Sequence, residues 1–350
     1  MSKSEAIIIG WINKGKPADC GETMKNQLMI RKLEELGIRC RQIDFKNWKR
    51  HPWVFFQLVW DIVVHRDNTL VLSTSASNIY LMIEILKKLN WKVNCIHWVI
   101  GGNLQECIND GKYQADVLDY ATWTLVESSV MVDKLTAQGL HNVIQVPNFK
   151  PIKYYPNITT KIKEKKKLYF VFLGRIIPEK GIDYILEAAC QLNKMGLQNK
   201  FLIDFYGKID DSYESSFKER VDLIPNVNYQ GFLNLGENEG YDKLSTYDMM
   251  LFPTYWKGEG FAGVFIDSFV SGVPMIVSDW AHNRQFLKES ETALFVPVHD
   301  VTALYEKMYE CIEGRYDLGK MAKCCQREAE RYNVDNVMTK DLLKKVGLLE

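Results

Sequence analysis

The sequence has no long apolar run. Its longest stretch free of charged residues, 68–83, is 16 residues and holds several Ser, Thr and Asn. A membrane-spanning helix needs about 20 mainly apolar residues. Net charge is also absent, with 44 Lys and Arg against 44 Asp and Glu, so no overall basic excess points to nucleic acid. The 8 cysteines contain no CxxC pair and no zinc-ligand spacing. Scattered thiols of this kind fit a reducing compartment and predict neither a disulfide framework nor a zinc site. Residues 1–5 run straight into a strand-like AIIIG without a leader pattern, so a cytoplasmic chain is expected.

What is present is globular. Hydrophobic residues make up 47% and charged residues 25%, which argues against disorder, and 350 residues fit two domains. The charges are unevenly placed. Residues 1–165 carry 22 basic and 16 acidic side chains, and 166–350 carry 22 and 28, net +6 against −6. Halves of opposite sign predict different partners, the first half facing something anionic.

Short apolar runs alternate with helical patterns. Strands are expected at 6–9, 70–72, 93–100, 123–126 and 143–146, with a helix at 79–89 and another ending near Gly37. From Pro147 onward the pattern breaks into three prolines and a lysine cluster, which predicts a linker at 151–167. The alternation then restarts at 168–173, 201–206, 227–230, 249–252, 275–277 and 293–296, and 301–350 reads as helix throughout. Ile182, Ile185, Leu186, Ala189 and Leu192 share one helical face. The economical organisation is two Rossmann-like doubly wound α/β domains. They span 1–150 and 168–330, and the last segment, 331–350, packs back on the first. Ligands are then expected at the carboxyl ends of the strands and in the cleft between domains.

Two phosphate motifs nearly match. Gly10-x4-Gly15-Lys16 follows a strand as a P-loop does, but Pro17 stands where Ser or Thr must hold magnesium, and it removes a backbone N–H. Gly258-Glu-Gly260-Phe-Ala-Gly263 spells GxGxxG with Asp279 about 20 residues on. Its first glycine does not turn directly off a strand, so NAD is not expected. The segment from Glu259 to Asp267 instead opens a helix whose glycines leave backbone N–H groups bare, which suits a phosphate or oxyanion. Upstream, Gly174-Arg175 and Lys180-Gly181 place two cations after a strand, where diphosphates are commonly clamped. The bland alternatives are a solvated pairing of Arg175 and Lys180 with Glu179 or Asp183, and a helix-capping role for Glu259.

GRIIPEKG at 174–181, DMMLFPTYWKGEGFAGVFIDSFVSGVPMIVSD at 248–279 and ETALFVPVHDVTAL at 291–304 together resemble the C-terminal domain of family 4 retaining glycosyltransferases of the GT-B fold. The resemblance is strong over about 169–310. It is weaker in the first half, through Gly21 and the VPN at 146–148. It implies two facing Rossmann-like domains and a sugar moved, with retention, from a UDP- or GDP-linked donor to a saccharide or lipid-linked acceptor. Surface polysaccharide or glycoconjugate synthesis is the implied setting. Arg175 and Lys180 then hold the diphosphate, Glu259 meets the transferred sugar, and the second acid meets the ribose. Gly174, Gly260, Phe261, Ala262, Gly263 and Val264 complete the donor side. Asp267 is one methylene shorter than the family's Glu. His97 falls in an apolar run near the place of a family histidine, and is either a strand residue or a substrate contact, with Gly101-Gly102 as the alternative loop. Lys14, Lys16 and Gly21 are the remaining acceptor-side candidates.

Arg175, Lys180 and the helix start at Gly263 supply charge for a departing diphosphate, so no cofactor or metal is expected. Asp210-Asp211 reads as the start of an exposed helix. The aromatic run 48–66 has basic residues at both ends, with Pro52 placed to start a helix and Gln57, Asp61 and His65 in a polar stripe. It is either an interfacial helix on anionic lipid at the inner membrane face or, as a helix apolar nearly all round usually is, a core helix with one wet edge. Three other readings stay open. One is a nucleotide-sugar epimerase or phosphorylase on the same fold, which needs no acceptor. Another is a non-catalytic nucleotide-sugar binder, and the last, more distant, is a NAD-dependent dehydrogenase.

Overall fold

Helices on both faces of a parallel sheet require strands that are apolar on both sides. Strand β1 (Glu5–Gly10) shows this directly. Ala6 and Ile8 enter one core with helix α1 (Gly21–Glu35), while Ile7 and Ile9 enter the opposite core with α2 (Trp53–Val64) and α3 (Ala76–Lys88). The computed structural model describes residues 5–46, 53–65, 67–158 and 167–349. The chain divides into two compact units. Unit 1 is Met1–Pro151, Gly260–Ala262 and Tyr332–Glu350; unit 2 is Ile152–Glu259 and Gly263–Arg331.

In unit 1, β1 is joined by β2 (Arg39–Asp44), β3 (Thr69–Thr74), β4 (Cys95–Val99), β5 (Trp123–Val126) and β6 (Val143–Gln145). All pair in parallel in the order β2-β1-β3-β4-β5-β6. The helices α4 (Leu104–Asn109), α5 (Ala115–Leu118) and α6 (Ser129–Ala137) follow between the later strands. The strand order reverses between β1 and β3, so the loops after those two strands flank the switch point where such sheets bind ligands.

Unit 2 contains β7 (Leu168–Leu173), α7 (Ile182–Lys194), β8 (Phe201–Tyr206), α8 (Glu214–Asp222), β9 (Val227–Tyr229), α9 (Asn238–Ser245), β10 (Met249–Phe252), α10 (Gly263–Ser271), β11 (Met275–Ser278), α11 (Asn283–Phe286), β12 (Ala293–Val296), α12 (Val301–Ile312) and α13 (Leu318–Ala329). Its sheet runs β12-β11-β10-β7-β8-β9, again all parallel, with the switch point between β7 and β10. Helix α7 buries Ile182, Ile185, Leu186, Ala189 and Leu192 against Phe170, Phe172 and Phe205, the face its spacing predicts.

Four expectations need correction. First, β2 has no counterpart in the apolar pattern. It is an edge strand, mostly part-exposed, so Arg39, Arg41 and Gln42 are tolerated there. Second, 301–350 is not one helix. After α13 the chain returns to unit 1 as α14 (Val334–Val337) and α15 (Lys340–Lys345), whose Val334, Val337, Met338 and Leu343 pack with α1. Third, Asp210 lies in a turn before α8, where its Oδ1 accepts from the Ser212 backbone at 3.2 Å and hydroxyl at 2.6 Å; Tyr213 precedes the helix.

The fourth concerns α2. The expected polar stripe divides: Asp61 is buried beside Leu58 and Ile62, with Arg41 at 3.4 Å, while Gln57 is exposed and His65 half-buried, and the rest of the exposed side of the helix is apolar. The core reading with one wet polar edge therefore holds only at Gln57 and His65, because the wet side is mostly apolar and the charged member of the stripe is buried. Lys49, Arg50, Pro52 and Arg66, and the linker lysines in 161–166, lie outside the described residues. Counted by structural unit, the charge asymmetry halves. Unit 1 carries 21 basic and 18 acidic residues, a net of +3, because the rest of the excess belongs to the linker. Among the described residues no helix is long and apolar enough to cross a membrane.

Candidate functional site

In unit 2 the polar side chains gather at the switch point. The loop after β7 turns at Gly174, whose carbonyl lies so close to Gly207 that a Cβ on Gly207 would come within 1.8 Å of it. Two strand ends can approach this closely only without side chains. Arg175 follows, its guanidinium 5.2 Å above the Trp256 ring, a stacking that holds the planar cation. A single 3₁₀ turn, Pro178–Lys180, then ends at Gly181 with φ +76°. A Cβ there would strike the Pro253 carbonyl at 2.2 Å.

That close approach ties the loop after β7 to the loop after β10. Tyr255 donates its N–H to the Glu179 carbonyl at 2.9 Å. The result is that Lys180, from one loop, pairs with Glu259, from the other. The Lys180 and Glu259 side chains are 14% and 8% exposed, and the Lys180 ammonium lies 5.2 Å from the Phe252 ring. The Thr254 hydroxyl donates to the same Glu259 oxygen, Oε2, at 3.0 Å. Neither expected bland partner of Lys180 is used, because Asp183 is held by Arg220 and by the Tyr213 hydroxyl. Helix α10 begins four residues past Glu259, at Gly263, followed by Val264. One turn in, buried Asp267 accepts from the Tyr241 hydroxyl at 3.0 Å. Burial, then the nearby carboxylate, pushes the Tyr241 phenol far above its ordinary value.

In unit 1, Lys14 and Lys16 lie on the loop after β1. The Lys14 N–H is held by Asp44 Oδ2 at 2.9 Å, and Lys16 is exposed. Gly21 is the first residue of α1. These three therefore sit beside the unit 1 switch point. His97 does not join them. It is fully buried within β4, between Leu72 of β3 and Thr124 of β5. Burial pushes its pKa down to about 4, a backbone interaction with Thr74 opposing the shift. Gly101 and Gly102, with Gly101 at φ +103°, form the turn after the strand. His97 is a core imidazole in this arrangement.

Sequence reasoning missed a second ion pair. Lys25 of α1 donates to Glu127 Oε1 at 2.8 Å, both side chains buried. Glu127 follows β5, and its Oε2 accepts the N–H of Phe261 at 2.7 Å. The Phe261 carbonyl accepts from the Asn148 amide at 3.0 Å. A Cβ on Gly260 would collide with Glu127 Oε2 at 2.4 Å. Glu22 was also missed: half-buried in the first turn of α1, its carboxyl has its pKa pushed up by burial. Only its place beside Gly21 signalled it. Among the described residues no three His, Cys, Asp or Glu side chains are grouped as a metal ligand set.

Two parallel six-stranded α/β sheets in separate units, the second with its cations and acids at one switch point, define the GT-B architecture. The chain belongs to the glycosyl transferases group 1, whose family model matches residues 156–331, half of its length. Among solved structures it is similar to sucrose-phosphate synthase from Thermosynechococcus elongatus, at 14% identity and TM-score 0.75, covering 98% of this chain and 99% of that one. Anabaena HepE, solved with UDP and glucose, gives 11% identity and TM-score 0.73 over 98% and 99%. The lipopolysaccharide outer core galactosyltransferase WaaB gives 14% and 0.69 over 99% and 100%. At such identities the likeness is one of fold. An uncharacterized 41.2 kDa protein in the cps region of Klebsiella pneumoniae is 24% identical over 178 residues, 51% of this chain. The match spans 46% of that relative's length.

Proposed function

We propose that this protein is a retaining glycosyltransferase that moves a hexose from a nucleotide-diphosphate donor to a saccharide or lipid-linked acceptor in surface polysaccharide synthesis. The observation that carries the reading is the joining of Lys180 to Glu259 across the unit 2 switch point, with Arg175 stacked on Trp256 beside them. Sugar transfer mainly requires that charge on the departing diphosphate be stabilised. In this reading Arg175 and Lys180 bind that diphosphate, and backbone N–H groups at the start of α10 add to them.

Glu259 holds hydroxyls of the transferred sugar. Lys180 and Thr254 both meet its Oε2, which leaves Oε1 for the ligand. Asp267, fixed by Tyr241, takes the ribose. Lys14, Lys16 and Gly21 serve the acceptor. The cps-region relative and the UDP bound by HepE favour polysaccharide synthesis and make UDP-linked sugars the first donors to try.

Arg175→Ala and Lys180→Ala test the clamp. Each is expected to weaken a nucleotide-diphosphate donor by about 2–5 kcal/mol in calorimetry, the cost of removing one partner of a charged pair. Affinities within twofold of the unmodified protein overturn the assignment. Charge neutralisation by these cations also predicts transfer that survives EDTA; activity lost in chelator and restored by magnesium or manganese contradicts it.

A further inference from the structure

Helix α2 presents a broad apolar face to solvent. Trp53 is 76% exposed and Trp60 66%, and Phe56, Val59, Val63 and Val64 lie exposed with them. At 100° per residue these six fall on one side of the helix, opposite the buried Leu58 and Ile62. Aromatic rings of this size seldom remain in water on a protein surface without a role.

Helix α3 extends the surface. Its exposed Leu81, Ile85 and Leu89 are spaced four apart, and its buried Ile79, Ile83 and Leu86 share the core that takes Leu58 and Ile62, so both helices cover one side of the unit 1 sheet. The sequence on either side of α2 carries more basic than acidic residues. The sole charged residue of α2, Asp61, is buried beside Arg41. In sequence the helix is preceded by Lys49, Arg50 and His51 and followed by His65, Arg66 and Asp67, a net positive flank, and α3 ends in Lys87 and Lys88. Lys87 is paired with Asp116 and Lys88 with Glu84, so the unbalanced charge comes from the flanks of α2.

We propose that the α2–α3 side of unit 1 docks on an anionic lipid surface, with α2 lying in the plane of the interface. A twelve-residue helix is too short to span a bilayer. Tryptophan is favoured at the headgroup level, and basic flanks draw the helix to anionic lipid. A second copy of this chain fits less well, because docking two such faces brings basic flanks against basic flanks. The inference extends the transferase reading by bringing the enzyme to where a lipid-linked acceptor lies. Its test needs no donor, so either idea can fail alone.

The full-length protein is co-sedimented with phosphatidylglycerol–phosphatidylcholine vesicles and with phosphatidylcholine vesicles, at low and high salt. Expected is a preference of about tenfold or more for the anionic vesicles, lost at high salt. Trp53→Glu and Trp60→Glu should each reduce recovery about tenfold while leaving Tm unchanged, since both side chains are already in solvent. If either variant unfolds, Trp60→Gln replaces it. Equal recovery with both vesicles, no recovery with either, or binding unaffected by the substitutions overturns the proposal. A dimer in sedimentation velocity that Trp60→Glu dissociates, without vesicle binding, assigns the face to a second copy instead.

Discussion

Among the described residues each unit encloses one lysine–glutamate pair, Lys25–Glu127 and Lys180–Glu259, and the two differ in what else their carboxylates hold. In unit 1, Glu127 gives Oε1 to Lys25 and Oε2 to the Phe261 backbone, so both oxygens are committed inside the protein. In unit 2, Glu259 gives Oε2 to both Lys180 and Thr254. The Lys180 side chain is also more open than that of Lys25. A closed pair can only hold structure together, whereas one with an uncommitted oxygen and a reachable cation has capacity for a ligand. The same residue types thus form a closed clamp in one unit and, in the proposed reading, a ligand site in the other.

The sharpest way to break this comparison is to remove the two lysines. Lys25→Met leaves Glu127 a buried charge without its partner and is expected to cost about 3–5 kcal/mol in urea unfolding. Lys25→Met with Glu127→Gln should recover most of that loss, because the amide oxygen still accepts from Phe261 and no charge remains buried. Lys180→Met should cost less stability, since Thr254 still donates to Glu259, but should weaken nucleotide-diphosphate binding, which Lys25→Met leaves intact in protein that stays folded. Equal losses of stability from Lys25→Met and Lys180→Met erase the distinction.

Why the residues of one pair were singled out in the sequence and those of the other were not follows from the chain, although neither pairing was foreseen. Arg175, Lys180 and Glu259 sit in loops that follow apolar strands, and local sequence marks such loops with glycine and proline. Lys25 lies within a helix, and Glu127, 102 residues away, follows a strand whose apolar pattern says nothing of what that carboxylate meets. Both doubly wound sheets were readable because buried parallel strands must be apolar on both faces. The edge strand β2 escaped because its exposure relaxes that demand. Helix α2 was misjudged for a related reason. Periodicity separates a polar stripe from an apolar one, but Arg41 on a neighbouring strand made burying Asp61 feasible, and that pairing is tertiary.

Acid provides a second contrast, specific to unit 1. His97 has its pKa lowered from 6.5 to about 4 by burial. The unfolded chain therefore binds a proton at higher pH than the folded one, and between about pH 6.5 and 4 it carries more protons. The contribution from His97 is complete above the unfolded value and is lost as pH falls through that window, amounting to about 3 kcal/mol at its acid end. His97→Leu keeps an apolar side chain of similar length in the core. It is expected to flatten this part of the stability–pH profile measured by denaturant unfolding. An unchanged slope between pH 6.5 and 4 would show that the imidazole reaches solvent or is already protonated in the fold.

The smallest expected effect separates the two acids of unit 2. Glu259 stands on a loop before the glycine turn, and Asp267 is fixed inside α10 by Tyr241. Asp267→Asn should weaken binding of the bare nucleotide diphosphate by about 1.5–3 kcal/mol, the worth of a hydrogen bond to a charged group. Glu259→Gln should leave that binding nearly unchanged and lower turnover with the intact donor, because its contact is to the sugar whose bond breaks. Calorimetry with the nucleotide alone, beside transfer rates, reads both. Equal weakening by the two substitutions removes the division of labour. Asp267→Glu then tests the shorter acid itself. The Tyr241 hydroxyl is 3.0 Å from Asp267 Oδ1 in a buried setting, so an added methylene must displace that phenol or push the carboxylate toward the ligand. Tighter nucleotide binding by Asp267→Glu means that the shorter side chain is a weakened contact. Looser binding, matched by Tyr241→Phe, means that the pocket has closed around aspartate and that Tyr241 sets its reach.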